Sequence, residues 1–71
     1  MTNDEQFMIE CITTELVAYV MEDYHLDMQD ALEKVYASET YAKLTDVSTG
    51  LYYQSPLYVY DFLREELGDT N

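Results

Sequence analysis

Between Phe7 and Tyr24, apolar residues recur at helical spacing on two separate stripes, so one helix is expected to meet protein on two sides. At about 100° per residue, Met8, Ile9, Ile12, Leu16, Tyr19 and Val20 share one arc. Phe7, Cys11, Ala18 and Met21 share another, with Glu10, Glu15 and Glu22 between or beside the two. The β-branched residues Ile9, Ile12, Thr13, Thr14, Val17 and Val20 lower helix propensity, but a period sustained over five turns outweighs them. This spacing predicts a helix at 4–24, capped by Thr2 or Asn3, with Asp4 and Glu5 favoured by the dipole of its first turn.

A chain of 71 residues makes one domain, and at this length folding buries only about 60% of the surface that the unfolded chain exposes. Such a core rarely supplies more than about 3–5 kcal/mol, so small domains commonly add a staple, a metal or a second chain. With one cysteine and no recognisable zinc spacing, a second chain is the expected addition here.

After the long helix, His25 and Leu26 form a connection and Asp27 caps a second helix at 28–37. Its periodicity puts Met28, Ala31, Leu32 and Val35 in the core, with Tyr36 as a further candidate. Ser38 caps a short third helix at 39–45, which offers Tyr41 and Leu44. A turn at 46–54 follows, with Gly50 free to adopt positive φ and Leu51 to Gln54 read as extended or irregular. Ser55-Pro56 starts a fourth helix at 56–67, apolar at Leu57, Val59, Tyr60, Phe62, Leu63 and Leu67, which Gly68 stops. The tail Asp69-Thr70-Asn71 is expected to fray. The fold class is therefore all-α: a four-helix domain over 1–71, its long N-terminal helix packed by three shorter ones.

A hydrophobic content of 48% with eight tyrosines is enough for a core despite the net charge of −12. Fifteen acids face only Lys34, Lys43 and Arg64, which works against direct contact with nucleic acid or an anionic membrane and favours a basic protein partner. The acidic N-terminus is unlike a signal peptide, and no apolar run approaches the ~18 residues of a membrane span. Cys11 without an intrachain partner suits a reducing compartment, so a cytoplasmic location is expected.

Chemistry is harder to place. Glu22 to Asp27 sets His25 among carboxylates, but one histidine beside flexible acids does not specify a metal site. Asp46 to Gly50 departs from a calcium loop, with glycine at the fifth position and Leu57 where the closing glutamate belongs, and it lacks the lysine of a phosphate loop. Cys11 and His25 lie about 21 Å apart along a helical axis at 1.5 Å per residue, too far for a dyad. No cofactor and no enzymatic activity are expected.

Tyrosine combines large contact area with a polar tip and often marks recognition surfaces. Tyr19, Tyr36, Tyr41 and Tyr60 suit a small core with hydroxyls at its rim, whereas successive extended residues at Tyr52 and Tyr53 point to opposite faces. One of that pair should be exposed or buried against a partner. Phe7, Cys11, Thr14, Ala18 and Met21 also form a heptad-like seam, which favours a homodimer or a partner groove over burial within one chain.

At Ser38-Glu39-Thr40-Tyr41 and from Thr49 to Tyr60, the chain resembles a family of short uncharacterised bacterial proteins with a Ser-x-Thr-Tyr, Thr-Gly-Leu-Tyr-x-x-Ser and Tyr-Val-Tyr-x-x-Leu signature. The resemblance runs from about Asp27 to Leu67 and leaves the first helix outside it. It implies a neutralising or accessory role in cassettes like those of toxins and antitoxins, with Tyr52, Tyr53, Tyr58 and Tyr60 as signature positions. The expected function is thus a non-enzymatic, antitoxin-like interaction module for a basic toxin or effector. Phe7, Met21, Tyr52 and Tyr53 are the expected contacts, and Glu10, Glu15, Glu22 and Asp23 supply steering charge. The alternatives are a nucleic-acid mimic that inhibits a nuclease and a self-assembling accessory subunit.

Overall fold

The computed structural model describes residues 3–68 and is all-α: α1 (Asn3–Tyr24), α2 (Met28–Tyr36), α3 (Glu39–Thr45) and α4 (Pro56–Leu67). Two 3-10 turns, Val47–Thr49 and Leu51–Tyr53, link α3 to α4. At 1.5 Å per residue the 22 residues of α1 span about 33 Å, close to the 36 Å longest dimension of the protein. This helix is the long axis. Helices α2 and α4 pack along it, and α3 bridges them.

The core is one cluster built on Leu16 and Val20 of α1, Ala31 and Val35 of α2, Leu44 of α3, and Val59, Tyr60 and Leu63 of α4. The inner arc of α1 is centred further round than its most apolar residues suggest. Thr13 and Val17 are buried beside Ile9 and Ile12, whereas Met8 and Tyr19 are only partly covered. Thr13 is tolerated there because its hydroxyl donates to the Ile9 carbonyl at 2.7 Å.

Local chemistry sets the helix ends. The Asp27 carboxylate accepts from the Asp30 N–H at 2.9 Å, Ser38 Oγ from the Tyr41 N–H at 3.0 Å, and Ser55 Oγ from the Tyr58 N–H at 3.2 Å. Pro56 sits in the first turn of α4, where a missing N–H costs nothing. The capping of α1 by Thr2 or the Asn3 side chain, and the fraying of Asp69, Thr70 and Asn71, fall outside what the structure describes. At its other end α1 closes through the Leu26 N–H, which donates to the Met21 carbonyl at 3.1 Å while His25 takes φ 57°. Placing histidine rather than glycine in this left-handed position carries strain.

Two expectations need correction. The apolar face of α2 is wider than the core can cover: Ala31 and Val35 are buried and Leu32 partly so, but Met28 and Tyr36 are exposed. Leu57 and Phe62 of α4 lie outside in the same way. The segment Leu51–Tyr53 is a 3-10 turn rather than extended chain. Gly50 at φ 74° joins it to the preceding turn, which Asp46 opens by accepting from the Ser48 N–H at 3.1 Å. The Thr49 hydroxyl then ties the linker to α3 by donating to the Lys43 carbonyl at 2.6 Å.

Truncating the fully buried Leu16 to alanine should cost about 3 kcal/mol, a large fraction of what so small a core supplies, seen as a lower urea midpoint. His25→Gly should shift that midpoint upward by the equivalent of about 1 kcal/mol, because glycine adopts the helix-stop geometry without strain.

Candidate functional site

The outward stripe of α1 stays outside the fold. Phe7 is 67% exposed, Cys11, Thr14 and Ala18 are exposed, and Met21 is half-covered at the edge of the core. Small side chains therefore occupy the middle of the stripe and large ones its ends. On the helical wheel Asp4, Glu15 and Glu22 line one edge and Glu10 the other. No Lys, Arg or His occurs anywhere in α1. Its last turn carries Glu22 and Asp23 against the negative end of the helix dipole with no basic residue to offset them.

On the Glu10 side the stripe borders α2 and α3. Burial raises the Tyr41 phenol above its ordinary value, and nearby Tyr36 and Glu10 add to the effect. The Tyr36 and Tyr41 rings lie 5.0 Å apart, and Tyr36, on the same exposed face of α2 as Met28, is 54% exposed. Glu10 also accepts from the Gln6 side-chain amide at 3.1 Å. An apolar surface rimmed by carboxylates thus extends from α1 toward Tyr36.

The expected tyrosine pair divides sharply. Tyr52 is 7% exposed and donates its hydroxyl to Glu5 at 3.2 Å, while Tyr53 stacks on it at 4.5 Å and is 72% exposed. Burial first, then Tyr53 and Glu5, push the Tyr52 phenol up to about 12. Glu5 lies about 200° around α1 from Phe7, so Tyr53 does not share the Phe7–Met21 stripe. Asp23 is engaged with the core rim, accepting from the Tyr60 hydroxyl at 2.7 Å, and Tyr60 packs on Tyr19 at 5.0 Å. Burial and then this bond to Asp23 raise the Tyr60 phenol. Of the eight candidates, α1 brings Phe7, Met21, Glu10, Glu15 and Glu22 to one surface, Tyr53 is presented elsewhere, and Tyr52 and Asp23 hold the fold.

One structural carboxylate beside these surfaces carries no signal in the sequence. Glu66 of α4 accepts from the backbone N–H of Glu39 at 2.6 Å, the N–H of Thr40 at 2.9 Å and the Thr40 hydroxyl at 2.8 Å, and so caps α3 from another helix. Burial pushes this carboxyl upward, but the three hydrogen bonds together with Lys43 carry it below the ordinary glutamate range. No local pattern pairs residues 26 or 27 positions apart, so no sequence signal marks it. Beside this cap an open hollow runs between Lys43, Leu51 and the exposed Tyr58 and Phe62, whose rings meet edge to face at 5.3 Å.

Among the described residues, no group of three or more His, Cys, Asp or Glu side chains is placed to hold a metal ion, and no helix is long and apolar enough to cross a membrane. Comparison of the chain with protein-family models, curated proteins and solved structures finds no match.

A carboxyl held below its unfolded value contributes stability above the ordinary glutamate range and loses that contribution as pH falls through its folded value. The stability difference between the native chain and Glu66→Gln should therefore be largest near neutral pH, shrink as pH falls below the ordinary glutamate value of about 4.3, and vanish once pH passes below the depressed folded-state value, where protonated glutamate resembles glutamine. Urea titrations of both chains across pH 3–7 check this, and their difference cancels the effect of acid on the other carboxylates.

Proposed function

We propose that this chain is a non-enzymatic acidic protein-interaction module, antitoxin-like or accessory to a basic toxin or effector, acting in the cytoplasm. The carrying observation is that the fold leaves an apolar stripe of its longest helix uncovered, bounded by carboxylates on a helix without a single basic residue. An exposed apolar strip rimmed by charge is costly for a lone chain and useful for a bound one. The surrounding negative field raises the encounter rate with positively charged proteins and repels phosphate-bearing ones. Tyr53 offers a second contact at low entropic cost, because stacking on Tyr52 already orders its ring. The sequence resemblance from about Asp27 to Leu67 to small bacterial proteins of toxin–antitoxin-like cassettes implies a neutralising role of the same kind. A nucleic-acid mimic would instead present unbroken carboxylates where this surface interleaves them with Phe7, Cys11, Ala18 and Met21.

Affinity capture from lysate of the encoding organism, with elution by a salt gradient, is the test. A basic protein should be retained, leave at moderate salt, and be lost when Phe7→Ser replaces the native chain. Recovery of the chain alone would overturn the reading in favour of self-assembly. Tyr53→Ala should weaken capture about tenfold with unchanged helical circular dichroism, as truncation of an exposed aromatic anchor does.

A further inference from the structure

We infer that the occupant of the α1 stripe is a single basic amphipathic helix of the partner, lying along α1 from Phe7 to Met21 with its lysines or arginines over the Asp4, Glu15 and Glu22 edge. This rests on the partner-binding reading above and specifies its chemistry. Small Cys11, Thr14 and Ala18 in the middle of the stripe let another helix axis approach closely, while Phe7 and Met21 pack against its ends. Phe7 and Met21 stand about 21 Å apart along the axis at 1.5 Å per residue, the length of four turns of an apposed helix.

Charge selects the occupant. A second copy laid on this face would bring Asp4, Glu10, Glu15 and Glu22 against the same carboxylates, because α1 has no cation to pair with them. A helix with lysine or arginine flanking its apolar stripe pairs with Glu15 and Glu22, and also offsets the uncompensated negative end of α1. The two rims differ as well. Asp4, Glu15 and Glu22 are all exposed, with Glu15 beside the half-covered Tyr19 of the same helix, whereas the opposite edge meets Glu10 and then the Tyr41 and Tyr36 rings of the neighbouring helices. The partner helix should therefore be basic on one flank and apolar or aromatic on the other.

Cys11 is the chain's single cysteine and is exposed in the middle of the stripe, so its alkylation rate reports occupancy directly. The probe is a synthetic helical peptide of about fifteen residues with a leucine and alanine stripe and lysine on one flank. Its control carries glutamate on that flank. The lysine peptide should slow maleimide reaction at Cys11 at least fivefold at saturation, and the glutamate peptide should leave it unchanged. Reversing the exposed carboxylates, Glu15→Lys with Glu22→Lys, should weaken the lysine peptide about tenfold and leave the circular dichroism of the free protein intact. Equal protection by both peptides, or protection that grows with protein concentration alone, overturns the inference, the latter in favour of a second copy. Peptide protection without capture of a basic protein from lysate upholds this site chemistry and defeats only the broader reading. Capture of a basic protein that leaves Cys11 as reactive as before defeats the site and spares the broader reading.

Discussion

Every other element depends on the burial of the inner arc of α1. Leu16 and Val20 are fully enclosed, and each shorter helix completes its own apolar face only by leaning on the same cluster. Helices of seven, nine and twelve residues are too short to persist alone in water, so α2, α3 and α4 are helical because α1 offers them a surface. The dependence is mutual. A 22-residue helix rich in β-branched residues is itself a weak former and is held by the packing it organises.

That arrangement explains why so much apolar surface remains outside. Three short helices laid along one long one reach only one side of it, and a core this thin cannot also take in the flanks of its own covering layer. Phe7, Met28, Tyr36 and Leu57 are exposed for this common reason. The tyrosines soften the mismatch between a small interior and a large apolar content. Tyr52 and Tyr60 bury their rings while their hydroxyls reach carboxylates of α1, and Tyr19 and Tyr41 lie partly covered at the margin.

What was legible in the sequence follows the range of the interactions concerned. The caps at Asp27, Ser38 and Ser55 could be read because a cap and its N–H lie three residues apart, and the all-α class could be read because periodicity is local. The covered part of α2 could not, since that depends on how closely α1 approaches it, and Met28 and Val35 look equally apolar in the chain. Within the expected turn at 46–54, Leu51–Tyr53 winds into a 3-10 turn rather than taking the extended alternative, because its β-propensity is strong while the turn chemistry of Asp46 and Gly50 on its N-terminal side is stronger. The division of Tyr52 from Tyr53 was anticipated on strand geometry and arises instead from a 3-10 turn, whose side chains also diverge from one residue to the next. The outward stripe of α1 was visible as a pattern, but its solvent exposure is a property of the packed molecule.

The Glu66 cap has a bearing on the order in which the chain can assemble. Helix α3 begins with N–H groups whose acceptor lies at the far end of the last helix, so its first turn is complete only when the C-terminal segment has docked. A cut that removed Glu66 would unfasten the first turn of α3, and with it the wall that Thr40 and Lys43 lend to the hollow beside Tyr58 and Phe62.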